Sequence, residues 1–219
     1  MKKVYTNMII SGVLFLAFVI LTVLVMQYDV GAIGPEHSCV GFSTLNQTVY
    51  EKIGVNLLWY KITDWLGIIA ILVAASFGIL GLVQWIRSRH FLKVDRDILA
   101  LGIYYFFVVV LYVFFESYSV NYRPILLHGN LEASFPSSHM MIVISILGTA
   151  IIQIKMRIKN APVRKTLILG AVGIIIITTA GRLISGVHWF TDIVAGLLLG
   201  TALVMFYSAV VEWIVRSRN

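Results

Sequence analysis

The sequence predicts an all-α fold of six transmembrane helices with both termini in the cytoplasm, and three observations carry that prediction. The 219 residues are 59% hydrophobic and only 12% charged, against roughly 25% charged residues in an ordinary soluble domain. Six runs are apolar enough to cross a bilayer, which takes about 17–25 residues per helix. The Lys and Arg residues gather in alternate connections, as the positive-inside rule requires. Such a chain leaves no room for a large soluble domain. It reads as a single domain over residues 1–219, without internal repeat or low-complexity tract.

The first span is expected near residues 8–26. MKK followed by an apolar run has the outline of a secretory signal. The run is about 19 residues long and lacks a small-x-small exit, so it reads as a retained helix. The long loop 27–65 opens with turn formers (GAIGPEHS) and ends in IGVNLLWYKITDW. There Leu58, Ile62 and Trp65 recur at helical spacing, with Trp59 and Tyr60 beside them. Two readings stand for this stretch: a helix lying in the outer interface, or a loop packed on the bundle. Glu36, His37 and Cys39 form a fragment of a metal-ligand set without the partner cluster that binding needs, so no metal is expected. Asn46-Gln47-Thr48 has the form of a glycosylation acceptor. Cys39 is the single cysteine, which excludes an intrachain disulfide.

The other spans are expected near 66–86, 98–115, 139–155, 166–185 and 190–213. The connections after the second and fourth spans, 87–96 (RSRHFLKVDR) and 155–165 (KMRIKNAPVRK), are basic, as are the two ends. Of 17 Lys and Arg residues, 13 fall on this side, leaving Lys52, Lys61, Arg123 and Arg182 on the other. The net charge of +7 is therefore a topology signal, and no nucleic-acid partner is expected.

Topology sorts the unusual polar residues onto the outer side. Arg123-Pro124 follows the third span, Pro136-Ser137-Ser138-His139 enters the fourth, Arg182 ends the fifth, and His188 and Asp192 begin the sixth. Ionisable groups in membrane-type sequence are costly and mark a site. Two arginines suit a phosphate group, because each presents planar donors to its oxygens. Backbone N–H groups of Ser137 and Ser138 at a helix start favour an anion. With His188 and Asp192 four residues apart on one helix face, the carboxylate orients the imidazole as base or nucleophile. His139 is available to move a proton. Singly, each piece has a bland reading: an interfacial anchor, a helix start, a structural hydrogen bond. Together, on one side and at one depth, they point to phosphoryl transfer without a cofactor or metal.

The motifs RP (123–124), PSSH (136–139) and R-x5-H-x3-D (182–192) resemble the three signatures of the type 2 phosphatidic acid phosphatase superfamily, which is related in fold to bacterial acid phosphatases and vanadium haloperoxidases. The membrane branch of that superfamily has six transmembrane helices, and the resemblance spans roughly residues 1–215. It implies that His188 attacks phosphorus to form a phosphohistidine, oriented by Asp192. His139 would protonate the leaving lipid alkoxide and then activate water. Arg123, Arg182, Ser137 and the Ser138 N–H would hold the phosphoryl oxygens. It further implies a lipid phosphatase of the plasma membrane, with a lipid phosphate as substrate and its site on the extracytoplasmic side.

Three positions depart from the family pattern. Glu116 stands where the first motif usually has lysine, Ser138 where the second has glycine, and Gly181 where the third has serine. Glu116 reverses a charge beside a phosphate, and three accounts are open. It pairs with Arg123 and orients it; or Lys52 or Lys61 folds in to replace the lost cation; or the substrate carries a positive group. Two other functions use the same residues. A phosphotransferase would pass the phosphoryl group from His188 to a second lipid or an alcohol. A non-catalytic lipid or anion binder would bind without releasing phosphate.

Overall fold

A computed structural model describes residues 1–127 and 129–217. Arg218, counted above among the basic residues, lies outside them. Seven helices are present among the described residues: α1 (Lys2–Gln27), α2 (Ser43–Ile53), α3 (Leu57–Ser88), α4 (Arg96–Ser117), α5 (Ser138–Arg157), α6 (Ala161–Ser185) and α7 (Phe190–Arg216). Six of them, all but α2, are long and apolar enough to span a membrane. The chain is a multi-pass membrane protein. Its outward side chains, such as Leu72, Phe106 and Ile176, are apolar and exposed, as lipid contact requires.

The loop 27–65 is partly helical, and the stretch with helical spacing is helical as part of the second span instead of as a separate helix. Leu58, Ile62 and Trp65 belong to the first turns of α3, which runs unbroken for 32 residues. Asn56 caps that helix, its side-chain oxygen accepting from the N–H groups of Leu58 (3.1 Å) and Trp59 (3.3 Å). The cap starts the helix one residue after Asn56, so Lys61, Thr63 and Asp64 become helical although they interrupt the apolar run. The separate helix in this loop is α2, polar in sequence and anchored by Asn46. The Asn46 amide donates to Gly41 O (2.8 Å) and Thr191 Oγ1 (3.0 Å), and its oxygen accepts from Thr191 N (3.2 Å). Asn46 is fully buried. Burial removes it as a glycan acceptor and gives it a structural role, pinning α2 to the start of α7. Glu36, His37 and Cys39 form no metal-binding group among the described residues.

The most enclosed span is α5, which packs against α3, α4, α6 and α7, while α1 lies along α7. Apolar side chains from α4, α5 and α7 fill the centre, including Leu101, Met141, Leu199 and Tyr207. At one end, Arg157 of α5 ties α4 down through Asp95 (2.9 Å) and Asp97, with Gln153 and Tyr207 completing the network. This half-buried arginine is satisfied by two carboxylates and an amide oxygen. At the opposite end, α6 stops at Gly186, whose φ of 65° is left-handed. A side chain there would also strike the Gly54 carbonyl. This close approach is sealed by Asn56 N donating to Ser185 O at 3.0 Å. It draws the loop 186–189 under the α2–α3 connection and fixes where His188 stands.

Candidate active site

The ends of α3 to α6, with the loops before α5 and α7, surround a cavity of about 490 Å³. Its lining includes Asp64 (α3), Glu116 (α4), Arg123 and Glu132 (the α4–α5 loop), Ser138 and His139 (α5), Arg182 (α6) and His188. Five of the seven residues expected from sequence therefore line one cavity: Arg123, Ser138, His139, Arg182 and His188. Asp192 stands behind His188, fully buried. Ser137 lies apart from the cavity wall. Its N–H is committed to Asp192 O (2.9 Å), so it is not free for an anion, and its hydroxyl is buried without a partner.

His188 precedes α7 instead of lying in it, so the helical-face geometry expected for His188 and Asp192 does not apply. Nδ1 is 3.8 Å from Asp192 Oδ2, too far for a direct hydrogen bond. Ser134 bridges them: its Oγ lies 3.3 Å from His188 Nδ1 and donates to Asp192 Oδ2. On the other side of the ring, Arg123 Nη1 is 3.1 Å from Nε2. A guanidinium only donates, so Nε2 accepts and Nδ1 carries the proton. The network thus leaves the lone pair on Nε2, where it accepts from Arg123. Burial, followed by the positive charge of Arg123, holds the His188 imidazole well below its ordinary pKa and keeps it neutral. Asp192 has a second duty: its carboxylate accepts from Trp189 N at 2.9 Å, capping the first turn of α7.

Both arginines are buried, Arg182 almost completely. Arg182 bonds to Asp64 Oδ1 and stacks on Tyr60, its guanidinium carbon 4.9 Å from the ring centre. Arg123 Nε is 3.1 Å from Glu132 Oε2, without the alignment of a hydrogen bond. The account in which Glu116 orients Arg123 is therefore corrected. Glu132 is the carboxylate beside Arg123, and Glu116 accepts from Ser138 Oγ at 2.9 Å. Neither Lys52 nor Lys61 lines the cavity. The positions of Glu116 and Ser138, two departures from the family pattern, are in direct contact.

Sequence reading missed Ser134, Glu132 and Asp64. Asp64 carried a detectable signal, an acidic residue next to the long apolar run 66–86. Ser134 and Glu132 lie in a loop with no periodicity and carried none.

A histidine joined through a serine to a carboxylate, with two arginines, lines a polar cavity in a multi-pass membrane protein. The chain belongs to the PAP2 superfamily, whose profile matches residues 99–216. The fold is also that of a transmembrane PAP2-type phosphatidylglycerolphosphate phosphatase from Bacillus subtilis, solved by crystallography. That structure aligns with a TM-score of 0.60 at 20% identity, covering 93% of this chain and 96% of the other. No match was found among curated proteins.

Proposed function

We propose that the protein is a metal-independent lipid phosphatase acting on a phosphomonoester or diphosphate headgroup through a phosphohistidine. The observation that carries this reading is His188 in the lining of a cavity that Arg123 and Arg182 also line, its Nε2 paired with Arg123 and its Nδ1 with Ser134. Nε2 attacks phosphorus and forms the N–P bond. The P–O bond to the lipid breaks, and the leaving oxygen takes a proton from His139. A water then gives a proton to His139 as its oxygen attacks phosphorus; the N–P bond breaks and phosphate leaves. The arginines and the Ser138 N–H hold the equatorial oxygens, where charge must be stabilised. Candidate substrates are phosphatidate, phosphatidylglycerol phosphate and polyprenyl diphosphates. The second of these is the type named for the Bacillus protein of the same fold. The distribution of basic residues favours cytoplasmic termini and a site on the extracytoplasmic face of the plasma membrane. Purified protein is expected to release phosphate from at least one of these lipids in excess EDTA. Absence of release from the whole panel would reject the reading.

Ser134→Ala removes the bridge between His188 and Asp192. The Nδ1–H is left without its acceptor, while Asp192 keeps its bond to Trp189 N. A loss of about 10–100-fold in kcat is expected, within the range of a lost buried hydrogen bond to a reacting group. Unchanged kcat would show that Asp192 orients His188 without the serine.

Glu116 is a cavity carboxylate whose side-chain partner is a neutral hydroxyl, whereas Asp64 and Glu132 each face an arginine. Glu116→Lys turns a repulsive charge into an attractive one for a dianionic monoester. A several-fold fall in KM for phosphatidate is expected, following the Coulomb attraction of a nearby opposite charge. A rise in KM would show that the Glu116–Ser138 contact serves substrate binding directly.

A further inference from the structure

The three motifs supply both histidines and both arginines, yet one wall of the cavity comes from α3, outside the residues matched by the family profile. That wall is built around His139. The His139 ring donates from Nε2 to the carbonyl of Thr63 at 3.0 Å. The neighbouring residue, Asp64, turns its Oδ1 toward the same nitrogen at 3.9 Å and toward Arg182 at hydrogen-bond range. One turn further along, Gly67 presents no side chain, and a Cβ there would collide with His139 Nε2. Carbonyl, carboxylate and gap thus converge on one imidazole from a single helical turn.

We infer that α3 contributes a fourth functional segment, Thr63-Asp64-x-x-Gly67, in which Asp64 is a positioning residue that couples the His139 ring to Arg182. The inference rests on the reading of His139 as the acid that protonates the leaving oxygen. With Nε2–H held by Thr63 O, Nδ1 is the nitrogen that exchanges the proton. An imidazolium formed there bears a charge in a buried site that also contains Arg182 and Arg123, and both oppose it. Asp64 is the carboxylate within 4 Å of His139, and it neutralises that charge while fixing the guanidinium that grips the phosphate. One carboxylate oxygen shared between the proton donor and the phosphate clamp keeps the leaving group and the transferred group in register.

A dependence on the leaving group tests this. Phosphatidate releases an alkoxide that must be protonated, whereas p-nitrophenyl phosphate releases a phenolate that needs no proton. Purified full-length wild type, Asp64→Asn, Asp64→Glu, Gly67→Ala and His139→Ala are compared in detergent micelles on both substrates by rapid mixing. For Asp64→Asn, first-turnover cleavage of phosphatidate is expected to fall about 10²-fold, the lower end for loss of general acid–base assistance. The nitrophenolate burst of one per site is retained, followed by a slow steady state because water activation also uses His139. Gly67→Ala, which displaces the ring and leaves Asp64 and Arg182 intact, should reproduce the pattern of His139→Ala. Asp64→Glu should restore part of the phosphatidate rate.

Equal losses on both substrates, confined to KM, would assign Asp64 to Arg182 alone and overturn the coupling. Variants indistinguishable from wild type would overturn it as well. Loss of the burst in Asp64→Asn, with Gly67→Ala behaving as wild type, would make Asp64 a purely structural ion-pair partner and overturn it too. A wild-type protein that cleaves neither substrate, nor any lipid of the panel, would overturn the phosphatase reading and this inference with it.

Discussion

Replacing His188 with alanine is expected to abolish phosphate release, lowering kcat by about 10³-fold or more, the scale on which removal of a covalent nucleophile acts. The expectation follows from the ring's position. The ring lines the cavity, its Nε2 paired with Arg123 and its Nδ1 with Ser134. The variant should fold. His188 lies in the short loop between α6 and α7, and the capping of α7 depends on Asp192 and Trp189 N instead. Elution as a single species and an unchanged melting temperature serve as the control. The check is phosphate release together with acid-labile 32P label trapped on the protein by rapid quench: label in wild type and none in His188→Ala. Label surviving in the variant would move the nucleophile to another residue, with His139 the next to test.

The parts of the structure legible in the sequence are those written in local pattern. Continuous apolar runs gave the six spans to within a few residues at most ends, because a helix in lipid must satisfy its own backbone and needs about 20 apolar residues. That the stretch before residue 66 is continuous with the second span was not legible. Lys61, Thr63 and Asp64 break the apolar run, and what keeps them helical is the Asn56 cap and the packing of that turn on α5 and α6. The motif residues were legible because their spacing is distinctive. Their partners were not: Asp64 is 118 residues from Arg182, and Ser134 is 58 from Asp192. Those pairings exist only after the helices pack. The serine relay also shows how spacing alone misleads, since an i, i+4 pair implies a direct bond only when both residues are helical.

Burial of the arginines explains why their carboxylate partners had to exist. Taking a guanidinium out of water costs several kcal/mol even after relaxation, and a membrane-embedded site offers less water than a soluble one. Asp64 and Glu132 meet that cost when the cavity is empty. On the proposed function, an arriving phosphate would share the guanidinium donors with them, and affinity would reflect exchange of one anion for another. Arg182 Nε and Arg123 Nε are both buried without a hydrogen-bond partner among the described residues.

Arg182 should therefore be intolerant of change. Arg182→Ala removes a phosphate donor and leaves Asp64 facing the cavity as an uncompensated negative charge. A fall of about 10²–10³-fold in kcat/KM is expected, or about 2.7–4 kcal/mol of transition-state stabilisation. Arg182→Lys separates charge from shape. The ammonium keeps the positive charge but loses the plane that stacks on Tyr60 and the fork that serves Asp64 and phosphate together. Lysine is expected to recover less than about a tenth of wild-type kcat/KM, because the two duties of the fork require donors on different edges of one rigid group. Added guanidinium ion should raise the activity of the alanine variant more than that of the lysine variant, since only alanine leaves the slot open. A lysine variant as active as wild type would reduce Arg182 to a point charge. The Asp64 contact would then be a counter-ion for that charge, with no part in aligning the phosphoryl group.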